Sequence, residues 1–127
     1  MVDDLPHILV VDDDRRIRNL LQAFLMENGF RISVAGSAVE AREHMRIVSF
    51  DLVVLDIMMP GMSGYEVCEQ LKSDPATRRI PIIFLTAMTA AEDEKKGLDL
   101  GAADYITKPI SPPIVLARVK TQLENKA

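Results

Sequence analysis

The chain has 127 residues, of which 48% are hydrophobic and 27% are charged, and its formal net charge is -4 at pH 7. This length predicts a single domain over residues 1–127, with its core at about 7–124, and leaves no room for a second folded unit. The acidic balance argues against direct binding of nucleic acid, because phosphate contacts need clustered Lys and Arg.

Targeting and cysteine signals are weak. No apolar stretch is long enough to cross a bilayer, and residues 1–6 carry two acids and no basic targeting pattern. The sequence therefore predicts a cytoplasmic protein without a membrane contact. The one cysteine, Cys68, excludes an internal disulfide, and its position in a helical pattern favours a small core residue.

The first half of the chain predicts two strand–helix pairs. Residues 8–11 form a short apolar run typical of a buried strand. Apolar residues at helical spacing follow over 17–25, and Gly29 is placed to end that helix in the left-handed conformation. Residues 31–35 alternate as in a strand near a sheet edge. A Ser-x-x-Glu capping box then opens a helix over 37–47.

The second half continues the alternation. Pro75 stops the third helix, and Thr89 with Glu92 repeats the capping box. Ser111 followed by Pro112 predicts an N-cap and first helical residue. The remaining predicted elements are strands at 52–55, 80–85 and 105–106 and helices at 65–71, 89–101 and 111–123. Five strands alternating with five helices predict a doubly wound α/β fold, a parallel sheet covered on both faces.

Polar residues lie where the predicted strands end. They are Asp12 and Asp13 after the first strand, Asp56 at the end of the third, Thr86 at the end of the fourth and Lys108 after the fifth. In doubly wound sheets the ligand site lies outside the carboxyl ends of the strands, so we expect these side chains to meet. Asp14, by contrast, suits the N-terminus of a solvated helix. The simpler alternative for Asp56 is a turn cap, because Asp is common in turns.

The chemistry of these groups indicates phosphoryl transfer. Three carboxylates brought together repel one another, so a cation must join them, and hard oxygen ligands select Mg²⁺ or a similar ion. Lys108 adds a positive charge and Thr86 a hydroxyl donor. An aspartate in these surroundings, Asp56, is a nucleophile suited to forming a transient aspartyl phosphate.

The sequence resembles the receiver domain of two-component response regulators over about residues 8–123. The motifs that carry the resemblance are VVDDD at 10–14, LDIMMPGMSG at 55–64, TA at 86–87 and GAADYITKP at 101–109. The resemblance implies a flavodoxin-like (βα)5 fold with the parallel strand order 2-1-3-4-5.

The resemblance also implies roles for the acids. Asp56 would be the phosphoacceptor, which makes the chain a phosphoprotein. Asp13 would bind Mg²⁺ directly and Asp12 mainly through a coordinated water. Asp56 itself and the backbone carbonyl of Met58 would complete the protein ligands.

Four further residues take roles from the resemblance. Thr86 and Lys108 would bind the phosphoryl oxygens, and the Lys108-Pro109 peptide bond would be cis. Tyr105 would change rotamer as Thr86 moves toward the phosphoryl group, which shifts a pre-existing equilibrium.

The implied partners are a sensor histidine kinase or a phosphotransfer protein. The face made by the fourth helix, fifth strand and fifth helix (α4-β5-α5 of the family) would carry the switch and allows a homodimer through Lys95 or Lys96, Asp99, Asp104 and Arg118. An output domain would lie outside this chain. Residues 110–119 resemble receivers joined to cyclic-di-GMP enzymes, whereas the first fifty residues resemble transcriptional regulators, so the sequence leaves the output open.

Two variable positions predict a long-lived phosphoryl group. Met58 and Met88 stand where the family often has polar side chains that orient the hydrolytic water, and thioethers orient it poorly. The chain is thus predicted to be a phosphorelay switch with slow self-catalysed dephosphorylation rather than a turnover enzyme.

Two other functions fit the sequence less well. A phosphatase with an aspartate nucleophile of the dehalogenase type usually needs a second Asp two residues on, where this chain has Met58. A flavin- or nucleotide-binding module is disfavoured because the acids at 12–14 would repel a phosphate and no Gly-rich loop follows the first strand.

Overall fold

The computed structural model describes residues 4–87 and 99–125. Its strands are β1 (His7–Val11), β2 (Arg31–Ala35), β3 (Leu52–Asp56), β4 (Ile82–Thr86) and β5 (Asp104–Thr107). Its helices are α1 (Arg15–Glu27), α2 (Ala38–Ile47), α3 (Gly64–Ser73) and a C-terminal helix (Pro112–Glu124). In these two ranges no helix has the length and apolar character needed to cross a bilayer. Met88, Lys95, Lys96 and most of the predicted helix 89–101 lie outside the described residues.

The five strands form one parallel sheet in the order β2-β1-β3-β4-β5, which confirms the predicted fold class and strand order. β2 lies at an edge, as its alternating pattern predicts. From β1 the chain turns first to β2 on one side and then to β3 on the other. The crevice at the carboxyl ends of β1 and β3 is therefore the point where the strand order reverses, where such folds bind ligands.

The sheet buries a separate apolar cluster on each face. α2 and α3 cover one face, and α1 and the C-terminal helix cover the other. In β3, Val53 and Leu55 point into the first cluster and Leu52 and Val54 into the second, because successive side chains of a strand alternate. A strand buried on both sides reads as a continuous apolar run, which explains the pattern of the sequence.

Helix ends follow the predicted signals at several positions. Gly29 has a φ of +92° just after α1, and the N–H of Phe30 donates to the carbonyl of Leu25, which closes the helix end. The Asp14 side chain caps α1 by accepting from the N–H of Arg16, and Ser37 caps α2 by accepting from the N–H of Glu40. Cys68 is fully buried, as predicted for a small core residue.

One predicted boundary is wrong, and one correctly predicted N-cap lacks its side-chain hydrogen bond among the described residues. β4 begins at Ile82 rather than Ile80, because the N–H of Ile80 closes a turn onto the carbonyl of Thr77 and Pro81 has no N–H to give a ladder. Ser111 occupies the N-cap of the C-terminal helix, but its hydroxyl makes no capping hydrogen bond within the described part of the chain. The second of the two prolines that open the helix leaves no N–H at the N2 position to be capped.

Candidate functional site

Three polar side chains are buried at the carboxyl edge of the sheet. Asp12, Asp56 and Thr86 are 0%, 1% and 3% exposed, respectively. Asp12 follows β1, whereas Asp56 and Thr86 end the neighbouring strands β3 and β4. Because all strands run in the same direction, the sheet brings these residues to one place, as predicted from the sequence. Burial of two acids side by side is costly and needs a compensating charge.

Lys108 supplies that charge. Its Nζ lies 3.2 Å from Oδ1 of Asp56 and 3.3 Å from Oδ2 of Asp12. The ammonium group thus stands between the two buried carboxylates, and the lysine side chain is 22% exposed. Its backbone N–H donates to the carbonyl of Thr86 at 2.7 Å, and the Lys108-Pro109 bond is cis. The hydrogen bond ties the backbone of Lys108 to the end of β4, beside the two acids.

Asp13 completes a cluster of three acids. Asp12, Asp13 and Asp56 each offer a carboxylate oxygen within 4.8 Å of the others, and Asp13 is exposed to solvent. Among the described residues, Oδ2 of Asp56 is buried without a hydrogen-bond partner, and the buried Oδ2 of Asp12 forms an ion pair with Lys108 Nζ at 3.3 Å. A hard divalent cation would take up the lone pairs that remain on these oxygens. The cluster could therefore hold a metal ion.

The electrostatics of the cluster favour an added cation. Burial, and after it the negative charge of Asp12, raises the pKa of Asp56 to about 6 although Lys108 and the Met58 N–H act against this. Burial acts to lower the pKa of Lys108, but the carboxylates of Asp12 and Asp56 outweigh it and raise that pKa. Lys108 alone therefore does not fully offset the two buried acids.

Met58 adjoins the acids, whereas Tyr105 lies within a strand. The Met58 N–H donates to Oδ1 of Asp56 at 3.3 Å, and Met58 is 62% exposed. Tyr105 lies in β5 opposite Phe84 of β4 and packs, partly buried, against the apolar cluster under α2 and α3. The structure therefore brings the three acids, Thr86, Lys108 and Met58 to one sheet edge and places Tyr105 in the adjoining strand β5.

Sequence reasoning missed the part played by two residues, Gly64 and Arg18. A Cβ on Gly64 would clash with the carbonyl oxygen of Asp56 and lie 2.8 Å from Cα of Ile57. Nη1 of Arg18 donates to the carbonyl oxygen of Asp12 at 2.8 Å. The sequence does carry a signal for Gly64, because Ser63 followed three residues later by Glu66 predicts a helix that begins at this glycine, and Ser63 caps α3. A lone arginine on a helix gives no comparable signal.

Comparison with known proteins places the chain in a family. The sequence model of the response regulator receiver domain matches residues 8–120. The chain is 46% identical over 119 residues to a Vibrio cholerae protein named a probable cyclic di-GMP phosphodiesterase, covering 94% of this chain and 27% of that protein. It is 43% identical over 118 residues to the DNA-binding response regulator MtrA of Mycolicibacterium paratuberculosis, covering 93% of this chain and 51% of MtrA.

The fold is similar to that of solved structures as well. The Vibrio cholerae chemotaxis protein CheY4 superposes with a TM-score of 0.88 at 27% identity, covering 92% of this chain and 98% of CheY4. The chain spans only about a quarter to a half of the lengths of these two curated relatives, which are therefore longer proteins. What those whole proteins do therefore depends on parts that the comparison does not cover.

Proposed function

Because the chain belongs to the response regulator receiver domain family, we propose that Asp56 accepts a phosphoryl group from a sensor histidine kinase or a phosphotransfer protein. One observation carries the proposal. Asp56 is buried at the strand end with Lys108 Nζ 3.2 Å from Oδ1, while Oδ2 has no hydrogen-bond partner among the described residues. A buried carboxylate oxygen without a hydrogen-bond partner is suited to attack a phosphorus atom as a nucleophile.

Mg²⁺ is the cofactor that the donor set supports. Asp12, Asp13 and Asp56 would hold it, together with the backbone carbonyl of Met58, and Asp12 would act mainly through a coordinated water. When bound, the ion neutralises charge on the acids and on the phosphoryl oxygens. The geometry of the three carboxylates supports this assignment, and so does the buried Oδ2 of Asp56, which has no hydrogen-bond partner among the described residues.

The transfer step is a displacement at phosphorus. An oxygen of Asp56 forms a bond to phosphorus while the bond from phosphorus to the donor's histidine nitrogen breaks, and the released imidazole takes up a proton. The Nζ of Lys108, which lies 3.2 Å from Oδ1 of Asp56, would then form an ion pair with the phosphoryl oxygens. The hydroxyl of Thr86 would donate to another of these oxygens. The side chains of Thr86 and Tyr105 would then shift together as the switch.

The proposed output is a change of surface rather than a turnover reaction. Membership of the family favours a phosphorelay switch over the phosphatase and the flavin-binding module weighed from the sequence. Residues from about 7 to 124 would form this one domain, supported by the two apolar clusters on a single sheet. The relatives include a DNA-binding regulator and a protein named for cyclic di-GMP hydrolysis, so an output domain of either kind is compatible with this receiver.

The homodimer that the resemblance allows has fewer free charges than the sequence implied. Nη1 of Arg118 lies 3.4 Å from Oδ2 of Asp104 within the same chain. Two of the charges assigned to the dimer face are therefore paired with each other. A symmetric dimer would have to exchange this exposed pair for pairs across the interface, which costs little because exposed ion pairs are weak.

Phosphorylation can be tested directly with a small donor. Incubation with phosphoramidate or acetyl phosphate and Mg²⁺ is expected to add one phosphoryl group, seen by intact mass. Asp56→Asn removes the nucleophile and should abolish the mass shift. Gel filtration with and without beryllofluoride, which mimics the phosphoryl group, tests the dimer in the same samples.

The matched control is Asp14→Asn. Asp14 is the neighbouring acid whose side chain caps α1 and pairs with the Arg16 side chain, and Asn caps helices as well as Asp. It should be phosphorylated like the original chain. A mass shift that survives in Asp56→Asn would refute the assignment of the phosphoacceptor. A mass shift that is lost in Asp14→Asn but kept in Asp56→Asn would refute it as well.

The phosphoryl group is predicted to be long-lived, and Met58→Asn should shorten its lifetime. The Met58 side chain is exposed beside Asp56 and gives the attacking water no strong hydrogen bond. An amide at this position could orient that water, and one hydrogen bond worth about 1 kcal/mol changes a rate by roughly fivefold. Loss of the phosphoryl mass after removal of the donor measures the rate.

Met26→Asn serves as the control for this change. Met26 is similarly exposed, at 55%, but lies at the end of α1 away from the acids. Its substitution should leave the rate unchanged. Equal lifetimes in the original chain and Met58→Asn would contradict the prediction.

A further inference from the structure

The backbone of Asp12 is held from two sides. Its N–H donates to the carbonyl of Ala35, at the end of β2, at 3.0 Å. Its carbonyl accepts from Nη1 of Arg18, in α1, at 2.8 Å. A charged donor to a carbonyl is among the stronger hydrogen bonds in proteins. The peptide that precedes Asp13 is therefore held by a side chain of α1.

Gly36 makes room for that side chain. A Cβ on Gly36 would lie 2.8 Å from Nη1 and 3.4 Å from Cζ of Arg18. The positive-φ glycines of the described residues are Gly29, Gly61 and Gly101, so the backbone conformation at residue 36 does not itself require glycine. The missing side chain is explained by the guanidinium group that lies against it.

We propose that Arg18 and Gly36 form a clamp that positions the carboxylates of Asp12 and Asp13 for the divalent cation, an inference that rests on the proposed function. The two acids are adjacent, so the orientation of the peptide between them sets where both side chains point. Arg18 is a positioning residue, since it acts through Asp12. Groups that orient metal ligands in this way typically change metal affinity by about 10- to 100-fold.

The sign of the effect separates positioning from charge. A guanidinium near a cation site repels the ion, so removing its charge alone would tighten Mg²⁺ binding. Removing the hydrogen bond that orients Asp12 would weaken it. A neutral substitution of Arg18 therefore gives opposite results for the two roles.

Calorimetric titration of the full chain with Mg²⁺ tests the clamp. Arg18→Ala is expected to weaken binding by about tenfold. Gly36→Ala should weaken it in the same direction, by less, because its Cβ displaces the guanidinium while Arg18 remains. In the double variant Gly36→Ala should add nothing, since it acts only through Arg18. The control Arg15→Ala removes the same charge from the same helix at an exposed position and should not weaken binding.

Two further measurements complete the test. Urea unfolding with EDTA checks that each variant is folded, and Gly36→Ala keeps the clamp testable if Arg18→Ala does not fold. At saturating Mg²⁺ the phosphorylation rate with phosphoramidate should return close to that of the original chain. Unchanged or tighter Mg²⁺ binding in Arg18→Ala, or additive losses in the double variant, would overturn the clamp alone. An original chain that takes up no Mg²⁺ would overturn the proposed function and the clamp with it.

Discussion

Asp56→Asn is expected to stabilise the metal-free protein, by about 1 to 3 kcal/mol at pH 7. The pKa of Asp56 is raised from 3.8 to about 6 by burial and by the charge of Asp12. Keeping this carboxylate ionised at neutral pH therefore costs the folded state up to about 3 kcal/mol, at about 1.4 kcal/mol for each pKa unit. Asparagine is uncharged, and its Oδ1 can still accept from Lys108.

Mg²⁺ should remove or reverse this advantage of the Asn variant. The ion binds the folded chain through Asp12, Asp13 and Asp56, so at 100 times its Kd it adds about 2.7 kcal/mol to the stability of the original chain. The Asn variant loses one ligand and gains much less. Urea unfolding with EDTA and with Mg²⁺ measures both differences in the same two proteins.

The pH dependence of the difference has a definite sign. A carboxyl group whose pKa is higher in the folded than in the unfolded chain binds more protons when folded, so stability falls as pH rises between the two values. For Asp56 this window runs from about 4 to about 6. The advantage of the Asn variant in EDTA should therefore grow from pH 4 to 6 and stay constant above it.

Asp14→Asn provides the comparison for this prediction as well. Asp14 is the exposed cap of α1, and the hydrogen bond from the Arg16 side chain lowers its pKa. Its replacement should give no stabilisation in EDTA and no loss of response to Mg²⁺. If Asp56→Asn is less stable than the original chain without metal, the buried charge is better compensated than the geometry indicates.

Much of the fold and the site could be predicted because both depend on short local patterns of apolar and polar residues. Strands such as β1 and β3 are short apolar runs with clear ends, and the parallel topology then brings Asp12, Asp56 and Lys108 to one edge without further information. The strand order itself came from the motifs of the family, since apolar runs buried on both faces do not say which strands are neighbours.

What could not be predicted depends on side-chain contacts that only the folded backbone brings together. The turn before β4 is also held by Lys72, whose Nζ donates to the carbonyl of Ile80 at 2.9 Å, a contact that no pattern of residues signals. The hydrogen bond of Arg18 to Asp12 and the space left by Gly36 belong to the same class. Such features need coordinates, because their partners are brought together only by the finished fold.

Gly64→Ala is expected to destabilise the protein by about 2 to 3 kcal/mol, near the upper end of the cost of overpacking a core. Its Cβ would clash with the carbonyl oxygen of Asp56 and lie 2.8 Å from Cα of Ile57. These are backbone atoms at the end of β3, where the N–H of Ile57 donates to Leu85 at 3.0 Å, so they cannot move aside cheaply. The gain of about 0.4–1 kcal/mol from a less flexible unfolded chain is smaller than this cost.

The same change should also move Asp56. A displacement of about 1 Å at a reacting group can cost roughly 100-fold in rate, so phosphorylation by phosphoramidate should fall by at least about tenfold in the folded variant. Gly36→Ala is the control for stability, because its Cβ meets only the end of the flexible Arg18 side chain. It should lose no more than about 1 kcal/mol, because the hydrogen bond of Arg18 is the contact that it disturbs. Equal stability of Gly64→Ala and Gly36→Ala would mean that α3 can shift away from β3, and that the close approach of the two backbones does not hold Asp56 in place.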